Sequence, residues 1–246
     1  MAYPKKFIMR SCAPLDQNFT PMDVIKNDHF WNNMGNYLFV YSVNRLLSVE
    51  GASITPYKAL SEKDADYINE NYDCFLMPLA NAFRENFIGS LKSMTRLVKK
   101  LTIPVIIIGV GFQGKVNPDA DASYPFDDAA REFCTEILKH SKSIGVRGEL
   151  TKQYLLHLGF SDEQVDVIGC PSVYMYGREV TIRKQPTLPK DARITLNGHT
   201  GLPKKLYDVY SKVESGYDDY YFIPQENGEF TYLYAMDSGE KKITPE

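Results

Sequence analysis

The sequence is poor in long apolar stretches. Its unbroken apolar runs, Val105-Ile106-Ile107-Ile108 among them, are only a few residues long, against the roughly 20 residues a membrane-spanning helix needs. Lys5 and Lys6 lead into the polar run 10–18 without a sustained apolar segment, so no secretory signal is evident. Cysteine is scarce and scattered. Cys12, Cys74, Cys134 and Cys170 form neither a CxxC pair nor a Cys/His cluster of zinc spacing, and read as free thiols of a reducing cytoplasm. Charge of one sign is also missing: a formal net charge of -3 gives no global attraction to nucleic acid, so any anion site is local. HExxH, GxSxG and the P-loop are absent, leaving zinc proteolysis, nucleophile-elbow hydrolysis and P-loop NTP hydrolysis without a motif. No repeat of 20 to 50 residues is present.

What remains is an ordinary globular composition, 43% hydrophobic and 24% charged over 246 residues. From about residue 32 to 169, helical periodicity alternates with short apolar runs. The spacing predicts helices over 36–49, 88–101, 127–140 and 150–158, the last closed by Gly159. It predicts strands over 74–77, 105–108, 143–146 and 165–168. The β-branched strands 105–108 and 165–168 read as buried, 105–108 on both faces. Such alternation implies βαβ units and a parallel, doubly wound sheet, an α/β fold.

After Pro171 the pattern changes. Residues 178–191 are polar, carry two prolines and read as a linker between a first domain, 1–177, and the start of a second α/β domain, 192–246. The second part is expected to hold a strand at 193–196, a helix over 204–213 and a strand at 220–223. Some fifty-five residues are few for a second closed α/β domain, which reads as a truncated chain or a tail leaning on the first domain.

Ligands of open parallel sheets bind outside the carboxyl ends of the strands. The loops expected there hold Pro78-Leu79-Ala80-Asn81-Ala82-Phe83-Arg84, Gly109-Val110-Gly111-Phe112-Gln113-Gly114, Arg147-Gly148-Glu149 and Gly169-Cys170-Pro171-Ser172. The helix start Asn33-Met34-Gly35-Asn36 joins them, with backbone N–H groups suited to an anion. Gly109 to Gly114 fits G-x-G-x-x-G after a strand. The loop-like stretch 115–126 follows where a dinucleotide site requires a helix, and a glycine turn allowing close backbone approach is preferred. Arg147 has two readings: a fork onto a carboxylate or phosphate, or a salt bridge to Glu149 with its stem packed. Arg84 has a similar choice.

His157 falls in the last turn of a helix, where its ring favours the dipole. His199 reads as a solvated loop residue, with anion contact or proton transfer as the alternative, and His29 and His140 lack spaced partners. Tyr217, Tyr220, Tyr221 and Phe222 read as core or interface before sugar stacking. Lys204, Lys205, Lys241 and Lys242 read as solvated surface.

Taken in order, Asn33-Met34-Gly35-Asn36, Leu79-Ala80-Asn81-Ala82-Phe83-Arg84, Ile107-Ile108-Gly109-Val110-Gly111, Ile144-Gly145-Val146-Arg147-Gly148-Glu149 and Val167-Ile168-Gly169-Cys170-Pro171-Ser172 resemble the polysaccharide pyruvyl transferase family. The resemblance covers about residues 32–176. It implies a GT-B-like fold of two Rossmann-like domains facing across a cleft. It also implies transfer of the pyruvyl group of phosphoenolpyruvate to a sugar of a polysaccharide precursor as a ketal, with no metal or organic cofactor. The implied substrate-binding residues are Gly35, Asn36, Asn81, Arg84, Gly111, Gln113 and Arg147, with Arg147 on the donor.

The chain departs from the family in three places. Asn36 stands where many members carry Asp, so it supplies no carboxylate base, and Ala80-Asn81 replaces a frequent glycine pair. The family's C-terminal Arg-x-His motif, source of a further arginine and the acid histidine, does not occur before Glu246, so the catalytic residues are unassigned and the chain reads as catalytically incomplete. The implied partners are a small-molecule donor and a sugar or lipid-linked glycan acceptor in the cytoplasm, with no nucleic acid and no transmembrane segment. Self-association is left open. A nucleotide-sugar glycosyltransferase of the same architecture and a non-catalytic glycan- or partner-binding domain are the alternatives.

Overall fold

A computed structural model describes residues 5–114, 123–177, 179, 181–183, 187–189, 191–197 and 204–231, the side chains of 204–207 excepted. The chain divides into two units, residues 1–15 with 38–179 and residues 16–37 with 180–246.

In the first unit β1 (Lys6–Arg10), β2 (Ser53–Tyr57), β3 (Cys74–Pro78) and β4 (Val105–Ile108) form a parallel sheet in the order β2-β1-β3-β4. β5 (Ile144–Val146) and β6 (Val165–Val167) pair in parallel. A parallel bridge of Val110 to Val146, with Val110 N–H donating to Gly145 O at 3.1 Å and Arg147 N–H to Val110 O at 2.8 Å, joins β5 to the continuation of β4. The order is that of a doubly wound, Rossmann-like α/β sheet whose switch point lies between β1 and β3.

Helices α3 (Ala65–Asn71), α4 (Ile88–Val98), α5 (Asp127–Ile137) and α6 (Glu149–His157) cross over between strands. α4 buries Leu91, Met94, Thr95 and Val98, and α5 buries Ala130, Phe133, Cys134 and Ile137. Both sets repeat at i, i+3, i+4 and i+7, the stripe of a helix with one face in a core. That core gathers the apolar members of both stripes with Ile8, Phe75, Met77, Val105, Ile107, Val146 and Leu155. Asp127 and Asp128 suit the positive end of α5. α6 closes at Gly159, where Phe160 N–H donates to Leu155 O at 3.1 Å, as in a Schellman turn. His157 lies exposed in the last turn of α6.

Four differences from the sequence reading have physical causes. β1 and β2 are not among the predicted strands: β1 precedes the alternating region and shows only Phe7-Ile8-Met9 between charged ends, and β2 contains Pro56. β2 is an edge strand, where a missing N–H is tolerated. The burial expected of 105–108 on both faces belongs instead to β3, buried at all five positions between β1 and β4. In β4 Val105 and Ile107 face the core, while Ile106 is 39% exposed. β6 buries Val165 but exposes Val167 at 40%, as befits the last strand in the order.

The four cysteines are unpaired, three of them buried and Cys170 half-buried. Burial pushes the Cys12 thiol up to about 11 and the Cys74 thiol up to about 12, so neither is a nucleophile near neutrality.

In the second unit β7 (Ile194–Leu196) and β8 (Tyr220–Phe222) pair in parallel, with α7 (Lys204–Gly216) between them. This βαβ order agrees with the sequence reading. Tyr220, Tyr221 and Phe222 are exposed rather than core; Arg193 stacks over Tyr221 at 5.5 Å and Phe222 meets Tyr210 edge-on at 6.2 Å. α1 (Pro21–Lys26) belongs to this unit and α2 (Met34–Leu47) begins in it. α1 opens with a reciprocal cap, Thr20 accepting from Asp23 N–H at 3.2 Å while the Asp23 carboxylate accepts from Thr20 N–H at 3.0 Å. His29 stacks on Phe19 at 4.2 Å. His199, Lys241, Lys242, the side chains of Lys204 and Lys205, part of the expected linker and most of 115–126 lie outside the described residues. Among the described residues no helix is long and apolar enough to cross a membrane.

Candidate functional site

The carboxyl ends of β3 and β4 are tied together by the loops that leave them. Gly111 N–H donates to Ala80 O at 2.5 Å, Phe83 N–H to Gly111 O at 3.2 Å and Gln113 N–H to Phe83 O at 3.0 Å. A Cβ at residue 111 would lie 3.0 Å from Ala80 O, so glycine permits this approach. Phe112 anchors the same loop by stacking on Tyr154 at 4.4 Å, and its N–H donates to Thr151 Oγ1 at 3.0 Å. The pair of loops is a braced frame rather than a free glycine turn.

Gly109 sets the exit from β4. Its φ is +67°, and a Cβ there would meet Phe39 Cζ at 3.0 Å, Pro171 Cδ at 3.1 Å and Gly169 O at 3.3 Å. Gly109→Ala is therefore expected to lower stability by about 2 kcal/mol from the left-handed backbone alone, with crowding adding to it. Urea unfolding followed by circular dichroism checks this, and an unchanged midpoint would contradict it.

On the frame, Asn81, Arg84 and Gln113 come together. Asn81 Nδ2 donates to Gln113 Oε1 at 2.7 Å, and Arg84 Nη1 donates to Asn81 Oδ1 at 2.6 Å and to Asn81 O at 3.0 Å. Arg84 Nε donates to Asn86 Oδ1 at 2.7 Å. With Glu85 these residues line a polar cleft of about 760 Å³. Among the described residues, every hydrogen bond of the Arg84 guanidinium goes to a neutral oxygen, so its charge is oriented but not neutralised. Burial holds Arg84 below its ordinary value.

Arg147 follows β5 directly. Its guanidinium carbon lies 5.0 Å from the centre of the Phe39 ring, and its Nε is buried without a hydrogen-bond partner. Among the described residues it makes no ion pair with Glu149. Ring stacking fixes the plane of the fork, leaving a buried donor of the kind that a planar anion satisfies.

Gly35 and Asn36 fall in the other unit and are half-buried. Met34 N–H donates to Gln225 O at 2.8 Å, Gly35 N–H to Asn33 Oδ1 at 2.8 Å and Asn36 N–H to Asn33 O at 2.9 Å. The Asn36 side chain donates to Phe30 O at 3.2 Å and Trp31 O at 3.1 Å. The N–H groups expected to be open to an anion are thus engaged by a turn in which Trp31 and Asn32 have φ of 49° and 62°.

Sequence reasoning missed Arg10, the last residue of β1. Its guanidinium carbon lies 5.9 Å from the centre of the Phe87 ring, and that of Arg84 lies 5.1 Å from the same ring. Burial pushes Arg10 down to about 10; nearby Cys12 acts in the opposite direction, and Arg84 adds to the lowering. An arginine ending an apolar triplet is the signal that points to it, once that triplet is read as a strand. Among the described residues no three His, Cys, Asp or Glu side chains gather as a metal site requires.

This strand-end arrangement can be set beside known families. Residues 33–238 match the family described as polysaccharide pyruvyl transferase. The chain belongs to that family. A search of curated proteins finds no matching relative. The matched segment of this family member holds Asn81, Arg84, Gln113, Arg147 and the turn before α2, whereas Arg10 precedes it.

Proposed function

We propose that the protein transfers the pyruvyl group of phosphoenolpyruvate to a sugar of a polysaccharide precursor, forming a ketal. One observation carries the reading: in a chain of this family, Arg147 directly follows a strand with its guanidinium stacked and its Nε buried without a partner. The enolpyruvyl group requires a fork of this kind for its carboxylate. Protonation of the methylene carbon creates an oxocarbenium-like centre at C2. One sugar hydroxyl adds there and loses its proton, then a second hydroxyl displaces the phosphate, leaving a methyl group and two C–O bonds. A cation beside the carboxylate and phosphate stabilises both the bound donor and the departing phosphate.

In this reading Arg147 binds the donor, Asn81, Arg84 and Gln113 form the polar wall of the substrate site, and Gly111 lets the backbone approach it. Gly35 and Asn36 shape the turn before α2. No residue of the chain is assigned as the acid or base. The architecture is GT-B-like, with residues 1–177, 178–191 and 192–246 as first domain, linker and second α/β domain, acting in the cytoplasm without a metal or organic cofactor. The test is phosphate release from phosphoenolpyruvate with galactosyl, glucosyl and mannosyl acceptors, using this chain and a C-terminally extended one carrying an Arg-x-His segment. Release that requires the acceptor supports the reading. Consumption of UDP- or GDP-sugars instead would replace it with glycosyl transfer.

A further inference from the structure

The loops after β3 and β4 carry a hydrogen-bond chain whose direction is set by its one donor-only member. A guanidinium has five N–H donors and no acceptor. Arg84 Nη1 donates to Asn81 Oδ1 at 2.6 Å, so the Asn81 amide turns its oxygen to Arg84 and its nitrogen to Gln113. Gln113 must then present its oxygen, and Oε1 accepts from Asn81 Nδ2 at 2.7 Å. Arg84 Nε donates to Asn86 Oδ1 at 2.7 Å, which fixes the Asn86 amide in the same sense. The side-chain oxygens of all three amides are thus used inside the network.

Donors are what the network leaves over. Arg84 Nη2, Gln113 Nε2 and Asn86 Nδ2 have no hydrogen-bond partner among the described residues, and all three residues line the polar cleft of about 760 Å³. The Arg84 guanidinium also lies over the Phe87 ring, 5.1 Å from its centre, so ring and amides together hold its plane. One charged and two neutral donors are matched by a ligand group that only accepts and carries negative charge. A carboxylate is such a group. Glu85 lines the same cleft and pairs with no cation among the described residues. Its carboxylate accepts from hydroxyls and repels the second charge of a phosphate dianion, so the cleft suits a hydroxylated monoanion better than phosphoenolpyruvate.

We infer that this cleft binds an acidic sugar, a uronate of the acceptor glycan, with its carboxylate on Arg84, Gln113 and Asn86 and its hydroxyls donating to Glu85. The inference rests on the pyruvyl-transfer reading only in taking the ligand to be a sugar.

Saturation-transfer NMR titration of the chain with methyl β-glucuronide and methyl β-glucoside tests it, because the two probes differ only in a carboxylate or a hydroxymethyl group at C6. The corresponding galacturonide and galactoside form a second pair. In at least one pair the uronide binds about 10-fold or more tightly than the neutral glycoside, the value of one charge-assisted hydrogen bond. Gln113→Glu keeps the oxygen that accepts from Asn81 and puts a charged oxygen in place of the amide nitrogen, so it abolishes the preference for the uronide. Gln113 is exposed, and the variant is expected to fold, as circular dichroism checks. Arg84→Gln also abolishes the preference. Phosphoenolpyruvate displaces the bound uronide only at concentrations well above the uronide's own. Uronide binding that is absent or no tighter than that of the glycoside in both pairs, an undiminished preference in folded Gln113→Glu, or displacement by less phosphoenolpyruvate than uronide overturns the inference. Turnover is not read. A uronide preference in a protein that never forms a ketal rejects the reaction and keeps the site, whereas ketal formation without that preference does the reverse.

Discussion

Arg147→Ala is expected to reduce phosphoenolpyruvate-dependent phosphate release by about 100- to 1,000-fold, the cost of losing one preorganised donor at a developing charge. The expectation applies to a turnover-competent form of the protein. Its basis is that the guanidinium is held for something other than a protein partner: it stacks 5.0 Å from Phe39 and leaves Nε buried and unpaired. Removing it takes away no hydrogen bond from that nitrogen, so thermal stability should change little. Arg147→Lys keeps the charge but not the planar fork, and is expected to recover only part of the rate. The pair of variants separates charge from geometry, and a rate in Arg147→Ala equal to the unsubstituted protein removes Arg147 from the mechanism.

Phe133→Ala is expected to destabilise the first unit by about 3–5 kcal/mol, the range for deleting a buried aromatic side chain. Phe133 is fully buried on the inward stripe of α5, in the core that includes Met77, Ile107 and Val146. These residues belong to β3, β4 and β5, whose outgoing loops form the braced frame. Loss of packing there should loosen the loops together with the core. A melting temperature lower by roughly 10 °C is the corresponding shift for a chain of this size. A folded variant with an unchanged melting temperature would show that α5 does not brace the sheet.

Much of this layout is legible from residue patterns. α4, α5 and α6 carry apolar stripes at helical spacing, and β3 to β5 are apolar runs set between them, so the parallel α/β layout and the ordered strand-end loops follow from alternation. β1 is not legible because Phe7-Ile8-Met9 is too short to show a period, and β2 is not because Pro56 speaks against a strand unless the strand is known to be at an edge. Those two strands set the switch point, and missing β1 hid Arg10. The signal opening α1 was present in Thr20-Pro21-Met22-Asp23, a cap, a first-turn proline and an acid three residues on.

Burial was harder to read than strand position. Four β-branched residues in a row look alike in sequence, yet Val105 and Ile107 enter the core while Ile106 does not, because burial depends on what covers each face. Site chemistry divides in the same way. Asn81, Arg84 and Gln113 were found as loop residues and meet through hydrogen bonds that no spacing rule predicts. Asn36 looked equally suited to a ligand, but its side chain is used by the carbonyls of Phe30 and Trp31.

The most direct measurement is incorporation of carbon from carbon-13-labelled phosphoenolpyruvate into a galactosyl, glucosyl or mannosyl acceptor, followed by NMR. Pyruvyl transfer gives a labelled ketal carbon bonded to two sugar oxygens, a methyl group from the former methylene, and one phosphate released per ketal formed. Phosphate release without label in the acceptor, or transfer of a sugar from UDP- or GDP-sugars by the same protein, would contradict it.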